Sequence, residues 1–391
     1  MKSFSILTLF IFILLPVKVF AHGENALQTV FIDAIVFFGL LVFIGFTNWK
    51  MNGKMRLLLA LFVAEFSALM ILGSLPYSEN ELLINVLSPI LPIAFVFAIF
   101  FKFKRKYAYS TAKICPPLIE ATELQAFIHD DFVVLIDIRT GPNAKEAYEM
   151  NHLKGALFVD LDTDLAEIHE NPAQGGRHPL PEIGKFTHFL GQLGISPEKR
   201  VIVYDDKSGA NAAARFWWML KALGHENVQV INGGLQAALL CDLPCSSGFE
   251  QAKHTGVYPA QHWILNRVTL SEVEKATHSD KQLIIDVRDA DRYNGLTEPI
   301  DLIAGHIPTA INVPFTENLD AQGYFLPSTV LNEKYSRLCA SIPSEQIIVH
   351  CGSGVTACHT LLAFAHAGLE IPTLYVGSWS EWSRNNKPIT S

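Results

Sequence analysis

The sequence predicts two α/β domains with mainly parallel sheets, preceded by an α-helical transmembrane region. Three observations predict this fold class. Apolar residues are concentrated before about residue 103 of the 391. From about residue 115 onward, short apolar runs alternate with helical patterns, which is typical of α/β units. The same part of the chain contains an internal repeat, so we expect two copies of one domain.

The first 21 residues have the features of a secretory signal peptide: Lys2, an apolar core and a small residue, Ala21, at the expected cleavage position. An uncleaved signal anchor fits the same residues. The region 22–106 then contains three apolar stretches, each near the roughly 20 residues that cross a bilayer. These stretches are 29–48, 56–75 and 82–102.

The distribution of basic residues predicts how these stretches would be oriented. Lys and Arg occur in the loop 49–56 and directly after residue 101, and they are absent from the segments 22–28 and 76–81. The positive-inside rule then places everything after residue 103 in the cytoplasm. We therefore expect a multi-pass protein of the cytoplasmic membrane, anchored by about three helices. Core helices of a soluble domain are the alternative.

Composition excludes several other classes of protein. The formal net charge of −8 gives no reason to expect a nucleic-acid partner. The cysteines form no CxxC pair, so no structural zinc site is predicted, and they are too few for a disulfide framework. We expect reduced thiols, no metal and no cofactor. The six cysteines are Cys115, Cys241, Cys245, Cys339, Cys351 and Cys358.

The repeat aligns the two halves of the remaining chain. "LIDIR" at 135–139 matches "IIDVR" at 284–288, and "VIVYDDKSGA" at 201–210 matches "IIVHCGSGVT" at 347–356. From this register we predict a first domain over 115–245, a polar linker over 246–264 and a second domain over 265–391. Each has an ordinary domain length.

In this register Asp205 aligns with Cys351. A cysteine required only for packing could occur in both halves, whereas a cysteine required for chemistry is needed once. The repeat therefore predicts one active site, in the second domain, and a first domain without catalytic activity.

The segment "CGSGVT" at 351–356 favours an anionic sulfur. It follows an apolar, β-branched run typical of a buried parallel strand and precedes a helical pattern, a position where α/β sheets bind ligands. Gly352 and Gly354 allow the backbone to curl so that N–H groups point inward. The helix dipole adds positive potential, and both effects favour a thiolate or a persulfide at Cys351.

Cys351 allows other interpretations. A buried structural cysteine is common at a strand end. A cysteine phosphatase needs an arginine six positions after the cysteine, and this chain has Ala357 there. The nearby His350, Cys358 and His359 alternate around a strand and a helix, so they are not expected to converge on zinc.

These residues resemble the rhodanese family, in particular its tandem-domain sulfurtransferases. The resemblance covers about 115–390 and rests on specific motifs. They are "GGRHPLP" at 175–181, "RFWWML" at 215–220, "AGHIP" at 304–308, "CGSGVTAC" at 351–358 and "GSWSEW" at 377–382.

The resemblance implies two rhodanese-like domains and a two-step sulfur transfer. The Cys351 thiolate attacks the outer sulfur of a donor and becomes a persulfide, and a second nucleophile then takes that sulfur. Loop N–H groups would stabilise the persulfide. The residues implied here are Gly352, Gly354, Val355 and Thr356.

The resemblance also assigns roles outside the loop. Ser353 matches a loop serine that, in mercaptopyruvate enzymes, works with an aspartate and a histidine of the first domain, here Asp162 and His178. Arg292 matches an arginine that binds the anionic group of the donor. Mercaptopyruvate enzymes often carry a second arginine where this chain has Ile300, which leaves thiosulfate or a protein persulfide open as donors.

Two further arginines were given structural roles. Arg288, at the end of a strand, is expected in an ion pair. Asp205 and Arg215 are expected to hold the degenerate loop of the first domain in place.

The predicted function is a sulfurtransferase that moves sulfane sulfur from thiosulfate or 3-mercaptopyruvate to an acceptor. The acceptor would be a thioredoxin-like or low-molecular-weight thiol, or cyanide. One alternative is a persulfide carrier or sensor that passes sulfur to a protein partner at the membrane. A membrane scaffold with vestigial domains is another, which the intact loop and Arg292 disfavour.

Overall fold

A computed structural model describes residues 27–46, 51–72, 75–110, 115–128, 130–340 and 342–391. The chain divides into two compact units, Met1–Ala112 and Lys113–Ser391. The predicted signal peptide at residues 1–21 lies outside the described residues.

The first unit consists of helices that pack on one another through apolar side chains. Leu40, Leu57 and Val96 are among the buried residues of this cluster. A buried hydrogen bond from Ser88 Oγ to Asp33 Oδ2, 2.6 Å long, links two of the helices. The helices are α1 Leu27–Phe46, α2 Met51–Leu72 and α3 Tyr77–Ser110.

The prediction of a multi-pass membrane protein with cytoplasmic α/β domains is wrong for the structure as described. None of the helices in the described ranges combines the length and the apolar character that crossing a bilayer requires. The charged residues in α2, Lys54, Arg56 and Glu65, interrupt its apolar sequence. The prediction rested on counts of apolar residues, and such counts do not separate a span from helices that bury their apolar side chains against each other.

The second unit contains two five-stranded sheets, in which every pair of neighbouring strands is parallel. The strands of the first sheet are β1 Leu118–Ile119, β2 Val133–Arg139, β4 Leu157–Asp160, β5 Arg200–Tyr204 and β6 Val228–Ile231. The strands of the second sheet are β8 Arg267–Val268, β9 Leu283–Asp286, β10 Ile311–Asn312, β11 Ile347–His350 and β12 Thr373–Tyr375. Two short strands, β3 His152–Leu153 and β7 Cys245–Ser246, pair antiparallel.

The two sheets have the same topology. The first has the order β1-β6-β5-β2-β4, and the second has the order β8-β12-β11-β9-β10. The strand that precedes Asp205 and the strand that precedes Cys351 are therefore the central strands of equivalent sheets. The α/β class with mainly parallel sheets and the internal repeat are confirmed.

Helices cover the sheets and join the two halves through one core. Helix α8 (Ala212–Ala222), which is apolar along nearly its whole length, packs against α13 (Thr356–His366) of the other half. Residues such as Trp217 and Leu361 belong to one buried cluster. The first half contains α4 Ala121–Leu124, α5 Ala144–Met150, α6 Leu161–Asp164, α7 Ile183–Gln192, α8 Ala212–Ala222 and α9 Gly234–Leu240. The second half contains α10 Leu270–Ala276, α11 Ala290–Tyr293, α12 Ser328–Cys339, α13 Thr356–His366 and α14 Ser378–Trp382, with 3₁₀ turns at Phe315–Asn318 and Ser344–Gln346.

Candidate active site

Cys351 lies directly after β11, where the central strand of the second sheet meets the loop that leads into α13. Its side chain is buried, and the Gly354 N–H donates to its Sγ atom at 3.2 Å. Among the described residues, no other N–H group of the loop donates to this sulfur. The loop curls around the sulfur because Gly354 adopts a left-handed conformation, with φ of +76°.

Helix α14 holds the loop from the other side. The Cys351 N–H donates to Ser378 Oγ at 3.2 Å, and the Cys351 carbonyl accepts from Trp379 N at 3.0 Å. The Gly352 carbonyl accepts from Ser380 N at 2.8 Å. The "GSWSEW" motif therefore contributes backbone and side-chain contacts that fix the position of Cys351.

We expect Gly354→Ala to damage this loop more than a matched substitution elsewhere. A Cβ at Gly354 would lie 2.5 Å from the Val376 carbonyl oxygen, whereas one at Gly368, which has a similar φ of +73°, would meet nothing within 4 Å. Gly368→Ala should cost about 1 kcal/mol of unfolding free energy, and Gly354→Ala about 2–4 kcal/mol. Denaturant unfolding of both variants measures the difference. Equal losses would mean that the contact with Val376 is relieved without cost.

A chain of hydrogen bonds connects Ser353 to the first half. His178 Nδ1 lies 2.7 Å from Ser353 Oγ, and His178 Nε2 lies 2.9 Å from Asp162 Oδ1. Asp162 is placed by the turn that begins α6, where the Asp160 carboxylate accepts the Asp162 N–H at 2.8 Å. The structure thus brings together three residues whose sequence positions are separated by up to 191 residues.

The charge state of His178 suits it to accept a proton. Burial lowers the pKa of His178, and the neighbouring Asp162 carboxylate opposes this effect. The imidazole is therefore neutral at pH 7. With Nε2–H donating to Asp162, Nδ1 is left as the acceptor for the Ser353 hydroxyl.

Arg292 lies beside the loop but is engaged by two buried acids. Its Nη2 is 2.7 Å from Glu298 Oε1 and 3.2 Å from Asp301 Oδ2. Arg177, which follows the two glycines of "GGRHPLP", binds the same Asp301 through Nε at 3.0 Å. Nothing in the sequence distinguishes Arg177, because its proximity to the site depends on how the two halves pack.

Arg288 and Asp205 have the structural roles that were predicted for them. Arg288 forms a buried ion pair with Asp286 at 2.6 Å. The Asp205 carboxylate accepts four backbone N–H groups of the loop that follows β5 and of the first turn of α8. In the first half it therefore occupies the position that the Cys351 sulfur occupies in the second half. The donors are Lys207 (2.9 Å), Gly209 (2.7 Å), Asn211 (3.1 Å) and Ala213 (3.1 Å).

The role expected for Arg215 is wrong. This α8 side chain does not bind the loop that contains Asp205. Its guanidinium donates to the Gly354 carbonyl at 3.2 Å and to the His178 carbonyl at 3.1 Å. Arg215 is fully buried, and no carboxylate pairs with it among the residues of the described ranges. A cation of the first half therefore lies against the loop that contains Cys351.

Comparison with known proteins agrees with this architecture. The family model described as "Rhodanese-like domain" matches residues 120–239 and 269–385. A probable 3-mercaptopyruvate sulfurtransferase of Pseudomonas aeruginosa is 36% identical over 68% of this chain and 94% of its own length. The 3-mercaptopyruvate sulfurtransferase of Mus musculus is 33% identical over 64% of this chain and 83% of its own.

A solved structure gives the same result. The crystal structure of a 3-mercaptopyruvate sulfurtransferase from Escherichia coli superposes with a TM-score of 0.57 and 32% identity, covering 68% of this chain and all of that one. The duplicated sheet, the single cysteine loop and these matches agree. The chain belongs to the rhodanese-like family, as a tandem-domain sulfurtransferase.

Proposed function

We propose that the chain transfers sulfur from 3-mercaptopyruvate, through a persulfide on Cys351, to a thiol or cyanide acceptor. The observation that carries this choice of donor is the hydrogen-bond chain Ser353–His178–Asp162. The names of the relatives support the same donor. In this proposal residues 265–391 form the catalytic domain, residues 115–245 the domain without a nucleophile, and residues 246–264 the linker.

In the first step, the Cys351 thiolate attacks the sulfur of the donor. An S–S bond forms, the C–S bond of the donor breaks, and its electron pair leaves with the carbon as the enolate of pyruvate. The enolate needs a proton to become pyruvate. His178 takes the thiol proton of the donor through Ser353 and returns it to the enolate, which leaves an anionic persulfide on Cys351.

In the second step, an acceptor thiolate attacks the outer sulfur of the persulfide. A new S–S bond forms to the acceptor, the S–S bond to Cys351 breaks, and the Cys351 thiolate is regenerated. The Gly354 N–H would stabilise the anionic sulfur in both steps, because it is already directed at the Sγ atom. The acceptors consistent with this chemistry are low-molecular-weight thiols, thioredoxin-like thiols and cyanide.

The proton relay gives a test that distinguishes the donors. With thiosulfate the leaving group is sulfite, which needs no proton in order to depart. We therefore expect His178→Asn to lower kcat/KM for 3-mercaptopyruvate by about 10²- to 10³-fold. Single-turnover persulfide formation from thiosulfate should change only a few-fold. His188→Asn, an exposed histidine on α7, is the matched control and should leave both rates unchanged.

The pH profile adds a second measurement. Since the neutral form of His178 accepts the proton, turnover should fall as the pH drops through its pKa, which burial places below 6.5. The acidic limb should disappear in His178→Asn. Normal turnover of 3-mercaptopyruvate by this variant would contradict the relay. Persulfide loading of the wild type without any turnover would favour a carrier instead.

A further inference from the structure

The anion-binding part of the site has an isoleucine, Ile300, at the position where mercaptopyruvate enzymes often carry a second arginine. The Ile300 side chain is 53% exposed and hydrophobic, so it cannot bind a carboxylate. A single guanidinium at Arg292 would then have to hold the donor. The structure places another cation beside it.

Arg177 reaches the site from the first half, on a segment that is fixed to α14. The Arg177 N–H donates to Ser380 Oγ at 3.0 Å, and the Gly175 N–H donates to Glu381 Oε1 at 2.9 Å. Because hydrogen bonds hold the backbone at both positions, the Arg177 side chain extends from it in a defined direction.

Arg177 and Arg292 converge on the residue next to the nucleophile. A Cβ atom built on Gly352 would lie 3.0 Å from Arg177 Nη2, 3.5 Å from Arg292 Nη2 and 3.5 Å from Oδ2 of Asp301, the acid that both arginines bind. The two guanidinium groups, one from each half, therefore border the same small space beside the cysteine loop. Both are partly exposed, with 25% and 13% of their side chains accessible to solvent.

The acids around these arginines hold them in place without neutralising them completely. Asp301 is fully buried and binds Arg177, Arg292 and also Arg384, while Glu298 binds Arg292 and Arg288. Arg288 also pairs with Asp286, so four cations share three carboxylates. Arg177 and Arg292 use their Nε–Nη2 edges for these contacts, and their Nη1 groups have no hydrogen-bond partner among the described residues.

We propose that Arg177 and Arg292 together bind the carboxylate of the donor, so that the anion site is assembled from both halves and Arg177 supplies the second cation. This inference rests on the proposed function and specifies its substrate class, a carboxylate-bearing thiol. Charge-assisted hydrogen bonds from two guanidinium groups suit a planar carboxylate. Asp301 is the residue that holds the two cations side by side.

The test compares Arg177→Met with Arg384→Met in the full chain. Both arginines bind Asp301, but Arg384 also donates to the Ser380 carbonyl at 2.9 Å and does not border Gly352. We expect Arg177→Met to raise KM for 3-mercaptopyruvate about 10- to 100-fold with kcat changed only a few-fold. Arg384→Met should change KM less than about three-fold.

Alkylation of Cys351 gives a readout that does not depend on turnover. Iodoacetate carries a carboxylate and iodoacetamide does not, so the ratio of their rates reports the cation beside the thiol. The ratio should fall in Arg177→Met, recover in part in Arg177→Lys, and stay at the wild-type value in Arg384→Met. A preserved iodoacetamide rate shows that the loop is folded.

The outcomes separate this inference from the proposed function. A wild-type protein that does not turn over 3-mercaptopyruvate contradicts the proposed function. A wild type that does, together with an unchanged KM and alkylation ratio in Arg177→Met, contradicts the role of Arg177. Equal effects in Arg177→Met and Arg384→Met also contradict it, because they would show that only the position of Asp301 matters.

Discussion

Cys351→Ser should abolish sulfur transfer, with a loss of roughly 10⁴-fold or more in kcat/KM for every donor. A serine hydroxyl is a far weaker nucleophile than a thiolate and cannot form a persulfide. The substitution is nearly isosteric, and the serine oxygen can still accept from the Gly354 N–H, so the fold should be retained. Steady-state sulfur release and the mass of the protein after incubation with donor measure the effect.

Cys358→Ser is the matched control, because this second thiol lies near the same loop. Its Sγ is 3.3 Å from the Gly354 carbonyl oxygen, and burial raises the pKa of the Cys358 thiol to about 12. Cys358 is therefore protonated at neutral pH and a poor nucleophile. We expect Cys358→Ser to gain one sulfur atom in the mass of the protein, as the wild type does. If Cys358→Ser lacks this added sulfur and Cys351→Ser still gains it, then Cys358, and not Cys351, carries the sulfur.

The residues that the sequence predicted best are those whose signal is local. The strand Ile347–His350, the glycine loop and the helix after it follow from consecutive residue types, and the alignment of Asp205 with Cys351 follows from a repeat within the chain. The contact between His178 and Ser353 is different. It joins two halves of the protein, and only the resemblance to a family suggested it.

The residues that the sequence missed or misassigned act between the halves. Arg215 was placed with Asp205 because the two are close in sequence, yet α8 directs its side chain to the other half. Nothing in "GGRHPLP" distinguishes Arg177 from its neighbours, because the residue that it binds, Asp301, belongs to the other half. The membrane prediction failed for a related reason, since apolar composition does not state whether a helix packs on lipid or on other helices.

Arg215→Met should separate catalysis from stability. A buried cation without a carboxylate partner costs desolvation energy, and burial indeed lowers the pKa of Arg215. Methionine fills a similar volume and removes this cost, while two hydrogen bonds to carbonyl groups are lost, each contributing about 1–1.5 kcal/mol. We therefore expect the unfolding free energy to change by less than about 2 kcal/mol, while persulfide formation at neutral pH falls about 10- to 100-fold.

The reason for the catalytic loss is that Arg215 supplies positive potential to an anionic sulfur. Among the described residues, the charged or titratable groups near the loop include Arg215 on α8, Cys358 on α13, His178 at Ser353, and Arg177, Arg292 and Asp301 beside Gly352. A cation favours an anionic sulfur, so its removal should make Cys351 a slower nucleophile. The rate of iodoacetamide alkylation of Cys351 at pH 7 should fall by about 10-fold or more.

Arg200→Met is the control for this experiment, because Arg200 is another buried arginine of the first half, and it binds Gln229 within the first sheet, away from the cysteine loop. Arg200→Met should alter stability and leave the rate of alkylation unchanged. If Arg215→Met also leaves that rate unchanged, Arg215 is only a structural link between the halves. If the rate falls while the fold is retained, the half without a cysteine in its loop contributes charge to the cysteine of the other half, which gives a physical reason for a single active site in a duplicated fold.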